Sequence, residues 1–175
     1  RNPMYVIALE ESDANFDAKF REDFASILAN SYKNYDLSAT DVVKYAEADG
    51  KPTLNTFDTI WSDRITLAIT SPEGNDYPPN RLPLAYGATL FIPGVPLTTY
   101  GSEIGMNGTA GPEAHQLYNF KTDEELIDQI ANMQYLRNSS WTLRNGDFKV
   151  LENKDGYLVF KRSSEEETWL VVVNN

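Results

Sequence analysis

Phe91-Ile-Pro-Gly-Val-Pro-Leu-Thr-Thr-Tyr100-Gly-Ser-Glu103-Ile-Gly-Met106 decides the fold. Pro93 cannot continue a helix, and Gly94 tolerates the backbone angles at which helices end. The run therefore predicts a helix that stops at Pro93-Gly94. Val95 to Tyr100 predicts a short buried strand, and Gly101 opens a loop that carries the acidic Glu103. Gly101 and Gly105 allow this loop backbone geometry that other residues resist.

The flanking sequence repeats this helix-to-strand grammar. Arg81 to Phe91 predicts the helix that precedes the strand. Further upstream, Ser71 to Pro79 holds Pro72, Gly74, Asn75, Pro78 and Pro79, a surface loop. Asp63 to Ile69 fits helix and strand equally. Thr53 to Phe57 is a short β-prone run ending at Asp58. Ser38 and Asp41 resemble the start of a helix that closes near Gly50. Phe16, Phe20, Phe24, Ile27 and Leu28 have helical spacing between Phe16 and Asn30. Met4 to Leu9 is a continuous apolar run, as in a strand buried on both faces, and it ends at Glu10 and Glu11. Strands alternating with helices predict a parallel α/β sheet.

Downstream, Thr122-Asp-Glu-Glu125 is a capping box. The apolar stripe Leu126, Ile127, Ile130, Ala131, Met133 and Leu136 predicts a helix of several turns behind it. After Asn138 the pattern changes. Asp147–Leu151, Tyr157–Arg162 and Thr168–Val173 predict strands joined by turns such as Lys154-Asp155-Gly156. The chain divides into an α/β part, residues 1–140, and a small all-β part from Trp141, residues 141–175.

Composition excludes several functions. The chain has 175 residues, a 41% hydrophobic and 23% charged composition, and a net charge of −11. These are globular values, and an acidic chain repels nucleic-acid phosphates. No cysteine is present, so disulfides and thiolate metal sites are ruled out. No apolar run is long enough to cross a bilayer.

Pro93, Gly94, Pro96, Tyr100, Gly101, Glu103, Gly105 and Met106 together resemble the eighth strand of the α-amylase superfamily of glycoside hydrolases. Leu136-Arg-Asn-Ser-Ser-Trp-Thr-Leu143-Arg-Asn-Gly146-Asp, Lys161-Arg162-Ser163 and Trp169-Leu-Val-Val-Val-Asn174 resemble its later segments. Maltases, α-glucosidases and the heavy chains of amino-acid transporters are similar. The resemblance implies the second half of a (β/α)8 TIM barrel followed by a small antiparallel β domain. In that register Met4–Leu9 is the fifth strand, Thr53–Phe57 the seventh and Val95–Tyr100 the eighth. The sixth is near Ala25–Leu28 or displaced from it. A whole barrel takes about 250 residues, and half of one leaves open parallel edges. A companion chain supplying the first half of the barrel is therefore expected, either a separate product or a fragment of one precursor.

Reactive groups of such barrels lie at the C-terminal ends of the strands. The resemblance implies Glu10 as the general acid and Asp58 as the carboxylate that holds hydroxyls of the reacting α-glucoside ring. Strand parity favours Glu10 over Glu11. Both can equally be solvated acids after a strand, and Asp58 can simply cap the next helix; Asp63-Arg64 is an alternative placement. The resemblance also implies that Phe57, Tyr100 and Glu103 line or brace the sugar-binding floor. Two departures weaken the enzyme reading. Phe57 occupies the position of the family's histidine, and the strand that carries the nucleophile is not in this sequence. The alternative is an inactive homologue serving as a binding or assembly scaffold.

Trp61, Trp141 and Trp169 can stack on sugars or pack in the core. His115 is alone in a polar loop. No cofactor is expected; some family members hold calcium, but its usual acidic loop is not recognisable here. Asn107-Gly-Thr and Asn138-Ser-Ser are glycosylation sequons, which point to an extracellular or secreted protein.

Overall fold

The computed structural model describes residues 15–16, 53–56, 58, 63–68, 81–118, 120, 124–154 and 157–174. Three short strands, β1 (Asn15–Phe16), β2 (Thr53–Asn55) and β3 (Val95–Pro96), form a parallel sheet in that order. The register pairs Phe16 with Leu54 and Leu54 with Val95. β1 stands beside β2 where a barrel places its sixth strand, displaced from Ala25–Leu28, which lie outside the described residues. Phe16, expected to open a helix, belongs to this strand.

β3 is shorter than the expected Val95–Tyr100. Pro96 has no N–H for the ladder, and the Leu97 N–H extends it one step to the Asn55 carbonyl at 2.8 Å. Beyond Leu97 the backbone turns away, and Thr99 Oγ1 donates to the Asp58 carbonyl at 2.7 Å.

Helix α1 (Ile65–Ala68) resolves the ambiguous segment after β2. Helix α2 (Arg81–Phe91) forms as expected. Pro83 lies in its first turn, where the missing N–H has no helical partner to lose. Ile92 closes α2 with an N–H bond to Ala88, and Pro93 then forbids another turn.

Helix α3 (Glu124–Ser139) packs on α2 through Leu126, Ile130 and the half-buried Met133. The expected stripe holds at those positions and at the half-buried Ile127, but not at Ala131, which is exposed, nor at its end. Leu136 is exposed, and the neighbouring Arg137 is buried instead. Thr122 and Asp123 of the capping box lie outside the described residues.

Helix α4 (Trp141–Asn145) follows at once, with the Ser140 hydroxyl accepting the Leu143 N–H at 3.0 Å as its N-cap. Strands β4 (Asp147–Lys154), β5 (Tyr157–Ser163) and β6 (Thr168–Asn174) then form an antiparallel sheet in sequence order. On β5, Leu158, Phe160 and Arg162 point inward at every second residue. Leu158, Phe160 and Val173 join Leu82, Ala85, Tyr86 and Ile92 of the α/β part in one apolar cluster. The two parts share a core.

Gly101 and Gly105 have φ of +83° and +64°, the left-handed region. A Cβ on Gly101 would also lie 2.6 Å from Met106 Cε. Gly101→Ala should destabilise the protein by about 1–2 kcal/mol from the backbone alone, read as a lower Tm. An unchanged Tm would show that the loop takes another path.

Candidate functional site

Asp58 follows β2 and is 2% exposed. Thr56 at the strand end donates its hydroxyl to the Asp58 carbonyl at 2.7 Å, and Thr99 donates to the same oxygen. This clamp ties the ends of β2 and β3 together. The carboxylate is held separately. Asp58 Oδ1 accepts the Ile65 N–H at 2.5 Å, at the first residue of α1. Asp58 thus acts as a helix cap seven residues upstream of the helix it serves. Asp58 Oδ2 accepts the Ser102 hydroxyl at 2.5 Å and pairs with Arg64 Nη1 at 3.5 Å.

Arg64 is fully buried. Its Nε donates to the Ala114 carbonyl at 3.1 Å, and Nη2 donates to the Tyr100 carbonyl at 2.8 Å. Its guanidinium also lies 5.3 Å from the Tyr100 ring centroid, a cation–π contact. The Arg64 N–H reaches the Gly108 carbonyl at 2.9 Å. One side chain therefore gathers the whole loop that follows β3 around Asp58. The sequence signal for it was weak: an arginine six residues after a strand-end aspartate, followed by Ile65. Its neighbour Asp63 is exposed and accepts the Ala110 N–H at 2.8 Å.

Between Asp58, Tyr86, Leu97, Thr99 and Ser102 lies a cavity of about 10 Å³. That is at the threshold for one water and far below a sugar ring. The Tyr86 hydroxyl is buried there without a hydrogen-bond partner among the described residues. Burial pushes its phenol far above the ordinary value.

Tyr100 is 45% exposed, and Glu103 is half-buried in a 3₁₀ turn, Ser102–Ile104. The Tyr118 phenol is raised, by desolvation first and then by Glu103 beside it. His115 is exposed. Asn107 and Asn138 are both exposed, the latter within α3. Glu10, Glu11, Phe57 and Trp61 lie outside the described residues. Asp58 and Tyr100 thus come together around Arg64, which the sequence offered only in the alternative pair Asp63-Arg64. Asp58 also meets Ser102, which the sequence did not single out, and Glu103 follows Ser102 in the same 3₁₀ turn. No group of three or more His, Asp or Glu side chains among the described residues could hold a metal ion.

Residues 146–175 match the family described as Alpha-amylase C-terminal domain. A cyclomaltodextrinase from a Bacillus species is 26% identical over 159 residues, 88% of this chain and 26% of that protein. The crystal structure of an Anoxybacillus α-amylase is similar over 93% of this chain at 31% identity, with a TM-score of 0.80. The Geobacillus thermoleovorans α-amylase, complexed with acarbose, is similar over 91% at 30% identity, with a TM-score of 0.78. The chain spans 36% of the length of either amylase. This likeness identifies the fold as the second half of a (β/α)8 barrel followed by an antiparallel β domain.

Proposed function

For a chain that shares sequence and fold with the C-terminal part of the α-amylase superfamily, we propose a role as the C-terminal portion of a glycoside hydrolase acting on α-glucosidic bonds. The observation that carries it is the 31% identity to an α-amylase along 93% of the chain. In this reading Glu10 donates a proton to the departing glycosidic oxygen. The nucleophilic carboxylate comes from the barrel's first half, supplied by a segment or companion chain outside this sequence, and water then releases the sugar. Asp58 acts on the reacting ring indirectly, by organising the ends of β2 and β3 and the loop that carries Tyr100.

We propose further that activity is reduced. Phe57 cannot make the hydrogen bond of the family's histidine, a loss on the order of 1–3 kcal/mol of transition-state binding. The buried, fully engaged carboxylate of Asp58 favours a structural role for it and supports the scaffold reading as the second possibility.

The test is glucose release from maltose or a nitrophenyl α-glucoside by the intact protein and by Glu10→Gln. The substitution should lower kcat about 10²–10⁴-fold. Activity that Glu10→Gln leaves unchanged would remove Glu10 from the mechanism. Binding of the glucoside without any turnover by the unaltered protein would favour the scaffold.

A further inference from the structure

A second concavity shares no lining residue with the Asp58 cavity. It lies where α4 meets the β5–β6 turn and has a volume of about 790 Å³. That is within the range of small-molecule sites, roughly 300–1,000 Å³. Trp141 forms one wall and is 58% exposed although it is large and apolar. Asn145, Asp147, Ser163, Glu165 and Glu166 line the rest.

We propose that this groove binds a segment of α-glucan away from the reacting bond, with a glucose ring stacked on Trp141. A pyranose has a face of C–H groups that suits an aromatic plane, and a rim of hydroxyls that suits amide and carboxylate acceptors. The groove presents both. Its acidic rim disfavours phosphorylated or otherwise anionic ligands, and its carboxylate and amide groups can accept hydrogen bonds from the hydroxyls of a neutral polyol. Position is fixed from beneath. Ser140 caps α4 and also donates to Glu167 of the β5–β6 turn, which holds that carboxyl below the usual glutamate range. Thr142 and Ser164 share a 2.7 Å hydroxyl bond across the same seam. Trp141 therefore projects from a braced helix, as a stacking platform requires.

This inference rests on the α-glucan reading for the choice of ligand. Its test is native gel electrophoresis of the intact protein in soluble starch, with dextran as the comparison polymer. Starch should retard the unaltered protein more than dextran does. Trp141→Ala should weaken that binding roughly tenfold or more, the scale of a stacked tryptophan anchor. Trp141→Phe, which keeps an aromatic face, should retain part of it, and circular dichroism checks that both variants fold. Equal retardation of Trp141→Ala and the unaltered protein overturns the proposal. If hydrolysis is also present, the groove falls alone and the glycosidase reading stands. If the unaltered protein shows neither retardation nor hydrolysis, both fall.

Discussion

Replacing Asp58 with alanine should cost about 3–5 kcal/mol of folding stability, the scale of breaking a buried ion pair from one side. Three partners are stranded at once: the Ile65 N–H, the Ser102 hydroxyl and the guanidinium of Arg64. Arg64 is 0% exposed, so water cannot take over the lost counter-charge without opening the loop after β3. Urea denaturation should show a lower midpoint with an unchanged slope. Asp58→Asn is the finer probe, because it keeps an oxygen acceptor and loses the charge. Paired with Arg64→Met, it should be less harmful than the sum of the two single changes, by about 1–3 kcal/mol. Strict additivity would show that the 3.5 Å contact is not an energetic pair. The structural cost also governs any enzyme assay. Lost hydrolysis in an Asp58 variant reports catalysis only if the folded fraction is unchanged.

Legibility followed how locally each feature is encoded. Helix α2 was readable because Pro93-Gly94 ends it directly before the strand. Strands β4 to β6 were readable because seven- or eight-residue runs alternate and turn residues bound them. β1 was not, because two residues cannot alternate, and Phe16 also fits the helical series that follows it. β3 was over-extended, since Thr98 to Tyr100 have β-prone composition while their backbone is drawn off by Thr99 and Arg64. The Asp58 constellation was half readable. Strand-end position and family resemblance pointed to Asp58, but no spacing rule announces that Arg64 folds inward. Sequence patterning treats arginine as a surface residue. Three arginines here, Arg64, Arg137 and Arg162, are buried because backbone carbonyls from distant segments converge on them.

Arg137 and Arg162 carry the second large expected effect. The last carbonyls of any helix lack helical partners, and those of α2 are buried at the seam with the β domain. Arg137 Nη1 donates to Leu90 at 2.5 Å and to Leu143 at 3.2 Å, and Nη2 donates to Gly94 at 2.7 Å. Arg162 donates to Phe91 at 3.1 Å and to Gly146 at 2.9 Å. Two cations at a helix C-terminus also complement its dipole. Burial is the main force lowering both guanidinium pKa values to about 10, so both remain charged at neutral pH. Arg137→Met has nearly the right volume but leaves three carbonyls without donors. Each orphaned group costs about 1–3 kcal/mol, and partial rehydration should bring the total to about 3–5 kcal/mol. Arg137→Lys should recover only part of this, because an ammonium cannot span Leu90, Leu143 and Gly94 as a planar fork does. Urea denaturation gives the loss, and amide exchange in the last turn of α2 gives its location. A midpoint unchanged in Arg137→Met, with exchange at that helix end unaltered, would mean that the shared apolar cluster alone docks the β domain. The opposite result makes the two arginines the fastening between the half-barrel and its C-terminal sheet, and predicts that Arg162→Met adds less in the Arg137→Met background than it costs alone.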